Sequence, residues 1–156
     1  MSNVPIVADM MQKNIFIVRA DTEIMDIIDG LLSHKISGAP VVEGDDRHLK
    51  IIGMITEKDC LKVLINDSFY GLEVEHHVAK DYMSKEVLTV REDEHLSTTA
   101  NTLIQNVFRR IPVVNERQEL VGVIGRDDIL KGIQFLSQNN ATKKGYLSEE
   151  MKAKLR

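Results

Sequence analysis

The chain lacks tryptophan and is poor in aromatic residues, which make up 4% of its 156 residues. A buried core must therefore consist mostly of Ile, Val, Leu and Met. A single cysteine, Cys60, excludes an intrachain disulfide and favours a cytoplasmic protein. The length allows one compact domain, or two very small ones that share a core.

Long apolar runs are also absent. The uninterrupted runs are short, as in Ile51–Ile55, whereas a transmembrane helix needs about 20 apolar residues. No basic stretch followed by an apolar core opens the chain, so we expect no secretory signal. The formal net charge of −4 argues against a general nucleic-acid-binding protein, whose affinity depends on a basic surface.

Signatures of catalysis are missing as well. The sequence contains no Gly-rich loop of the P-loop type, no convincing cluster of metal ligands, and no Ser or Cys with an obvious general base. We therefore predict that the protein is not an enzyme and holds neither a catalytic cofactor nor a metal.

An internal repeat is present. Pro40-Val41-Val42 recurs as Pro112-Val113-Val114, at an offset of 72 residues. Beyond these segments the offset falls to 69, because the first copy has three extra residues in its 43–50 loop, a length change that loops tolerate. Aligned pairs include Met11 with Met83, Gly53 with Gly122, Asp59 with Asp128, and Cys60 with Ile129. The last pair predicts that Cys60 is a small core residue rather than a reactive thiol.

Each copy predicts the element order β-α-β-β-α. A short apolar run (Ile15–Val18 or Val87–Val90) precedes a helix, two antiparallel strands and a second helix. The first helices have an apolar face, formed by Ile24, Ile27, Ile28, Leu31 and Leu32 in copy one and by Leu96, Ala100, Leu103, Ile104 and Val107 in copy two. The predicted fold class is mixed α/β, with two tandem units packed as a pseudo-two-fold pair.

The repeat divides the chain into copy one at residues 5–66, a linker at 67–80, copy two at 81–137 and a polar tail at 138–156. The linker contains His76-His77, which could bind a metal together with Glu73 or Glu75. A solvated linker is favoured, because neighbouring side chains rarely converge on one ion. In the tail, Leu147, Met151 and Leu155 form the stripe of a short helix or belong to a frayed terminus.

The strand-to-helix corner Thr56–Asp59 carries groups suited to a nucleotide. A carboxylate can accept hydrogen bonds from both ribose hydroxyls, and a helix N-terminus together with Lys58 favours phosphate. Alternatively, Thr56 caps the helix and Asp59 offsets its dipole, and both roles can coexist. Arg109 and Arg110 suit phosphate, or are surface cations at a helix C-terminus.

These residues also carry a family resemblance. Ile36–Val42 followed by Ile52–Asp59 resembles a CBS motif, and Phe108–Val114 followed by Val121–Asp128 resembles a second. The tandem is similar to a CBS-domain pair, or Bateman module. The resemblance implies a regulatory module with two pseudo-symmetric sites for AMP, ADP, ATP or S-adenosylmethionine. It also implies a homodimer that forms a disc of four motifs.

Carried over from the family, each site combines the carboxylate of one copy with the first strand and pre-proline segment of the other. Site A would consist of Thr56, Lys58, Asp59, Val87, Leu88, Arg109 and Arg110. Site B would consist of Ile15, Phe16, Ser37, Gly38, Ala39 and Asp128. Site B departs from the pattern, since Gly125 replaces the hydroxyl residue and Asp127 stands where site A has Lys58.

The asymmetry predicts that site A binds the more highly charged nucleotide. Site B is expected to be weaker, empty, or occupied by an uncharged adenosine moiety, because an extra carboxylate repels phosphate. The leading functional hypothesis is a nucleotide-sensing module that signals to a separate effector protein. The alternative is a dimeric scaffold with a vestigial cleft.

Overall fold

A computed structural model of the chain describes residues 4–65 and 77–144. The strands of this part are β1 (Val18–Arg19), β2 (Gly38–Glu43), β3 (Lys50–Thr56), β4 (Val90–Arg91), β5 (Arg110–Val114) and β6 (Leu120–Gly125). The helices are α1 (Val7–Met10), α2 (Ile24–His34), α3 (Glu57–Leu61), α4 (Ala79–Tyr82), α5 (Leu96–Gln105) and α6 (Arg126–Lys144). A 3₁₀ turn at Lys62–Ile65 follows α3.

The strands form two three-stranded sheets of the same topology, β1-β2-β3 and β4-β5-β6. The first strand of each sheet pairs in parallel with the second, which pairs antiparallel with the third. Val41 pairs with Gly53 and Val113 with Gly122, and a register shift follows each valine. The predicted mixed α/β fold with a repeated β-α-β-β-α unit is therefore confirmed.

The opening strand of each unit is shorter than predicted. Only Val18–Arg19 and Val90–Arg91 pair with a neighbouring strand, rather than the runs 15–18 and 87–90. Phe16 instead turns onto α2, where its ring atoms lie 2.0–2.6 Å from the position that a Cβ on Gly30 would occupy. The residues just before β1 are thereby free to line a cleft.

Each unit has its own core, and each core is completed by the leading helix of the other unit. Val7 of α1 belongs to the cluster of the second unit, and Ala79 of α4 belongs to the cluster of the first. Both side chains are fully buried. Cys60 is a member of the first cluster, as predicted from its alignment with Ile129. The exchange of helices ties the two units into one structure.

The apolar helix faces differ in part from the prediction. Leu96 and Leu103 of α5 are buried, but Ile104 is 81% and Val107 89% exposed. Helix α5 ends at Gln105, so Val107 lies beyond the helix and cannot share its face. In copy one, Leu32 is likewise exposed. These side chains leave an apolar outer surface on both units.

The predicted segment boundaries also shift. Helix α6 continues to Lys144, through the first part of the predicted polar tail. The predicted linker already contains structured residues at its end, since Val78 pairs with Glu23 and α4 begins at Ala79. His77 is buried rather than solvated, and its Nδ1 lies 2.6 Å from the Tyr82 hydroxyl. The remaining linker up to His76 and the stripe Leu147, Met151 and Leu155 lie outside the described residues.

Candidate functional site

The corner between β3 and α3 is a capping box. The backbone N–H of Thr56 donates to Oδ2 of Asp59 over 2.9 Å, and the backbone N–H of Asp59 donates to the Thr56 hydroxyl over 3.3 Å. A hydroxyl residue followed three positions later by a carboxylate is the pattern that closes this box. The capping role considered from the sequence is therefore present. It leaves Oδ1 of Asp59, which accepts a hydrogen bond from Lys62 over 3.1 Å.

The equivalent corner between β6 and α6 has no hydroxyl but keeps the carboxylate. The backbone N–H of Gly125 donates to Oδ2 of Asp128 over 2.8 Å. Oδ1 of Asp128 accepts a bond of 2.9 Å from the side-chain amide of Gln12. Asp128 is 3% exposed, and both of its oxygens are engaged by donors from the chain itself.

Site A is a cleft of about 80 Å³. Among the residues predicted for it, Thr56, Asp59, Leu88 and Arg110 line the cavity. Lys58, Val87 and Arg109 do not; the cation that contacts Asp59 is Lys62 rather than Lys58. The remaining lining residues, which the sequence analysis missed, are Met54, Ser84, Glu86, Phe108, Ile111 and Pro112.

Site B is a cleft of about 150 Å³. Among the residues predicted for it, Ile15, Phe16 and Gly38 line the cavity, and Ser37, Ala39 and Asp128 do not. Ala39 is fully buried in the first core, and Ser37 is exposed. The lining residues that the sequence analysis missed are Gln12, Asn14, His34, Ile36, Pro40, Met54, Arg110, Pro112 and Val123.

An aromatic stack forms one wall of site B. The rings of Phe16 and His34 lie 5.0 Å apart at an interplanar angle of 24°. The imidazole Nδ1 lies 2.8 Å from the carbonyl oxygen of Gly30, which holds the ring in place. Flat rings in this arrangement offer a surface on which a planar base can stack.

One cation lines both clefts. Arg110 belongs to the cavity of site A and to that of site B, together with Met54 and Pro112 in the wall between them. At the aligned position of copy one stands Gly38, which has no charge to offer. Within residues 4–65 and 77–144, the Arg110 guanidinium makes no hydrogen bond or ion pair. It is therefore available to an anionic group in either cleft.

The missed residues follow from the repeat. Gln12 aligns with Ser84, Asn14 with Glu86, Ile36 with Phe108, Pro40 with Pro112, and Met54 with Val123, and all of these side chains line one cleft or both. Applying the repeat offset to the lining of one site would have identified most of the other. The signal was present in the sequence, but the predicted sites contained only residues of the strand-to-helix corners, the first strands and the pre-proline segments.

The volumes of the two clefts limit what they can hold without rearrangement. Pockets for small molecules usually span about 300–1,000 Å³, and both clefts are smaller. A mononucleotide must therefore remain partly exposed or displace side chains. Arg110 and Gln12 are both solvent-exposed and are among the lining side chains that can be displaced.

Other chemistry finds little support in the described part of the chain. No group of three or more His, Cys, Asp or Glu residues that could hold a metal ion occurs in it. Burial raises the pKa of the Cys60 thiol, with smaller contributions from the charges of Asp59 and Glu57. This thiol therefore stays protonated and is a weak nucleophile. None of the described helices is long and apolar enough to cross a membrane.

Comparison with known proteins identifies the family. The model of the CBS domain family matches residues 7–66 and again residues 79–134. These two matches span most of the sequence, so the chain belongs to the CBS domain family and carries two copies of the domain. The match to the second copy begins at the first residue of α4.

Curated relatives include two uncharacterized proteins of Methanocaldococcus jannaschii. The first is 31% identical over 125 residues, which cover 80% of this chain but 41% of that protein. The second is 25% identical over 156 residues, which cover 82% of this chain and 90% of that protein. The chain therefore spans less than half of the first relative and nearly all of the second.

Two solved structures share the fold of the whole pair. One is CBSX2 of Arabidopsis thaliana in complex with AMP, with 27% identity and a TM-score of 0.70 over 85% of this chain and 98% of that one. The other is the CBS domain pair of protein MJ0100 in complex with 5′-methylthioadenosine and S-adenosyl-L-methionine. It has 25% identity and a TM-score of 0.65 over 82% of this chain and 94% of that one.

Proposed function

We propose that the chain is a regulatory module that binds an adenosine-containing ligand and passes this information to a separate protein. The observation that carries the proposal is the arrangement of the two clefts. Asp59, whose carboxylate closes the capping box of α3, lines site A, and the guanidinium of Arg110 lines the same cavity. A carboxylate for ribose and a cation for phosphate are the groups that a nucleotide requires. The adenosine ligands of CBSX2 and MJ0100 support this ligand class.

In site A, Asp59 would accept the ribose hydroxyls through Oδ1 after releasing Lys62. The Lys62 side chain is 57% exposed, whereas that of Asp59 is 11% exposed. The release therefore moves the cation into solvent while the ribose hydroxyls take over the buried oxygen. Arg110 would bind the phosphate. The base would lie against the apolar walls that Met54, Phe108 and Pro112 provide. The other predicted site A residues, Lys58, Val87 and Arg109, would contribute only if the ligand extends beyond the cavity or the cleft opens.

Site B would take a less charged ligand. Its cavity contains the Phe16–His34 stack for a base but shares its only lining Arg or Lys side chain, Arg110, with site A. Asp127 aligns with Lys58, and its Oδ1 lies 2.7 Å from the position of a Cβ on Gly125. A phosphate at this corner would face that carboxylate, which disfavours its binding. An uncharged adenosine moiety would avoid the repulsion.

A homodimer is part of the proposal. Leu61 of α3 and the aligned Leu130 of α6 are both 62% exposed. Side chains of α2 and α3, including Met25, Leu32 and Leu61, line an apolar groove of about 470 Å³. Burying apolar surface of this kind would stabilise association of two copies into a disc of four domains. Light scattering of Leu61→Lys and Leu130→Lys would show a monomer; an unchanged mass would reject this interface.

To act as a switch, the ligand must bind one arrangement of the units more tightly than another. The exchange of α1 and α4 between the units offers a route, because each cleft is built from both units. We further propose that the chain signals to a separate effector protein, is located in the cytoplasm and does not catalyse a reaction. One relative, CBSX2, is described as chloroplastic, so the family is not confined to the cytoplasm.

The second candidate function is a dimeric scaffold whose clefts no longer bind ligand. The small cavities and the full engagement of Asp128 favour it. Isothermal titration calorimetry with adenosine, AMP, ATP and S-adenosylmethionine, and with GMP as control, separates the two functions. We expect saturable binding of at least one adenosine compound and none of GMP. No heat and no thermal shift with any adenosine compound would support the scaffold instead.

A further inference from the structure

Gln12 holds one oxygen of Asp128, the carboxylate that was predicted to bind a ribose in site B. Its Nε2 donates to Oδ1 of Asp128 over 2.9 Å, while Oδ2 of the same carboxylate is held by the backbone of Gly125. Gln12 lines the site B cavity, and Asp128 does not. The amide therefore stands between the cavity and the carboxylate that would receive a ribose.

Among the described residues, the side chain at the equivalent position of site A makes no hydrogen bond to Asp59. The residue aligned with Gln12 is Ser84, which lines the site A cavity but whose hydroxyl donates to the carbonyl oxygen of Glu86 over 3.4 Å. Asp59 lines that cavity directly. Its Oδ1 is contacted by Lys62, a flexible and exposed cation, whereas the aligned Lys131 makes no ion pair with Asp128 in the described structure.

The backbones at the two positions are equivalent. Gln12 pairs with Val123 through two hydrogen bonds of 2.8 and 2.9 Å, and Ser84 pairs with Met54 through two bonds of 2.9 Å. In each case the carboxylate lies five residues after the strand residue of this pair, since Asp128 follows Val123 and Asp59 follows Met54. At this position the two clefts therefore differ only in the side chain, which is glutamine in one and serine in the other.

We propose that Gln12 weakens site B relative to site A, because it acts as an internal substitute for the ribose of a ligand in site B. This inference rests on the proposed adenosine binding. A nucleoside can enter site B only by displacing the amide from Asp128. The amide itself sits on an exposed residue, so displacement is feasible and site B is a weaker site rather than a closed one.

The proposal gives Gln12 a role in selectivity. A ligand that enters site B breaks the hydrogen bond from the Gln12 side-chain amide to Asp128, and the two ribose hydroxyls are the donors that can replace it. A ligand with a single ribose hydroxyl can at best exchange the hydrogen bond from Gln12 for one of its own, whereas the ribose diol adds a second bond to the charged group. Site B should therefore discriminate between adenosine and 2′-deoxyadenosine more strongly than site A does.

Exchange of the two side chains tests the proposal. Gln12→Ser gives site B the side chain of site A, and Ser84→Gln gives site A the side chain of site B. Calorimetry with adenosine on the full chain measures the number of sites and both affinities. Gln12→Met fills the same space without a donor and separates the hydrogen bond from simple bulk. Gln105→Ser, on the exposed side of α5, is the matched control.

We expect Gln12→Ser to tighten site B roughly tenfold or more, and Ser84→Gln to weaken site A by a similar factor. Gln105→Ser should change neither affinity. Unchanged site B affinity in both Gln12→Ser and Gln12→Met, with site A still binding adenosine, overturns the role of Gln12 and leaves the proposed function standing. Absence of adenosine binding at site A in the wild type counts against the proposed function instead, and a gain at site B in Gln12→Ser would still support the role of Gln12.

Discussion

Met83 lies directly over Gly53, so that a Cβ on this glycine would be 2.6 Å from the Met83 Sδ. The repeat reproduces the contact, with Met11 Sδ at 2.6 Å from a Cβ on Gly122. In both cases the methionine follows the leading helix that completes the core of the other unit. The two glycines therefore allow the close approach by which the units are joined.

Replacing either glycine should weaken the packing between the two units and destabilise the fold. In Gly53→Ala the new methyl group would also meet the backbone carbonyl oxygen of Ser84 at 2.9 Å, which cannot move as a side-chain tip can. We expect a loss of about 1–3 kcal/mol in the free energy of unfolding, as for other overpacked sites. Urea denaturation measures it. Met83→Ala in the same chain should recover only part of the loss, and a stability equal to wild type in Gly53→Ala would contradict the contact.

A buried hydroxyl is expected to destabilise the second unit. Thr99 of α5 is fully buried, and its Oγ1 has no hydrogen-bond partner within the described part of the chain. The aligned residue of copy one is Ile27, a core side chain. Thr99→Val removes the unpaired hydroxyl and keeps the shape, so the protein should gain about 1 kcal/mol. Thermal and urea unfolding check the gain, with the exposed Thr98→Val as the control that should change little.

Much of the fold was predictable because the same residue types recur at equivalent positions of the two copies. The Pro-Val-Val strands, the glycines opposite them and the carboxylates that follow are present in both sheets. The lengths of β1 and β4 were not predictable, because Ile15–Val18 has the same β-branched character whether or not it finds a partner strand. The exposure of Ile104 was missed for a similar reason, since apolar periodicity cannot tell a core face from an outer one.

The candidate site was predictable only in outline. Of the predicted carboxylates, Asp59 lines a cleft together with Arg110 and Asp128 does not, and the hydrogen-bond partners of both carboxylates were not predicted. Lys62 contacts Asp59 because a spacing of three residues brings two side chains to the same face of a helix. The bond between Gln12 and Asp128 joins residues 116 positions apart. No local pattern indicates such a contact; the antiparallel pairing of Gln12 with Val123 creates it.

Charge selectivity should depend on Arg110. Arg110→Gln keeps a long polar side chain but removes the cation that lines both clefts. We expect the affinity for AMP and ATP to fall roughly tenfold or more, as for the loss of a charged hydrogen bond. The affinity for adenosine should hardly change. Arg117→Gln is the matched control, because Arg117 is exposed and lines neither cleft. An equal loss of affinity in both variants would mean that the overall positive charge, and not Arg110 itself, attracts the phosphate.

The thiol of Cys60 should make stability sensitive to alkaline pH. Burial raises the pKa of Cys60 above its ordinary value of 9.0, and the carboxylates of Asp59 and Glu57 add to the effect. The folded state thus prefers the protonated thiol. The corresponding stability is fully present below the pKa of the unfolded chain and is lost as the pH rises through the folded pKa. Cys60→Ala cannot titrate, so the stability of wild type should decrease relative to this variant as the pH is raised above about 9. Urea denaturation across the alkaline range measures the difference, and a constant difference would show that the thiolate is tolerated in the core.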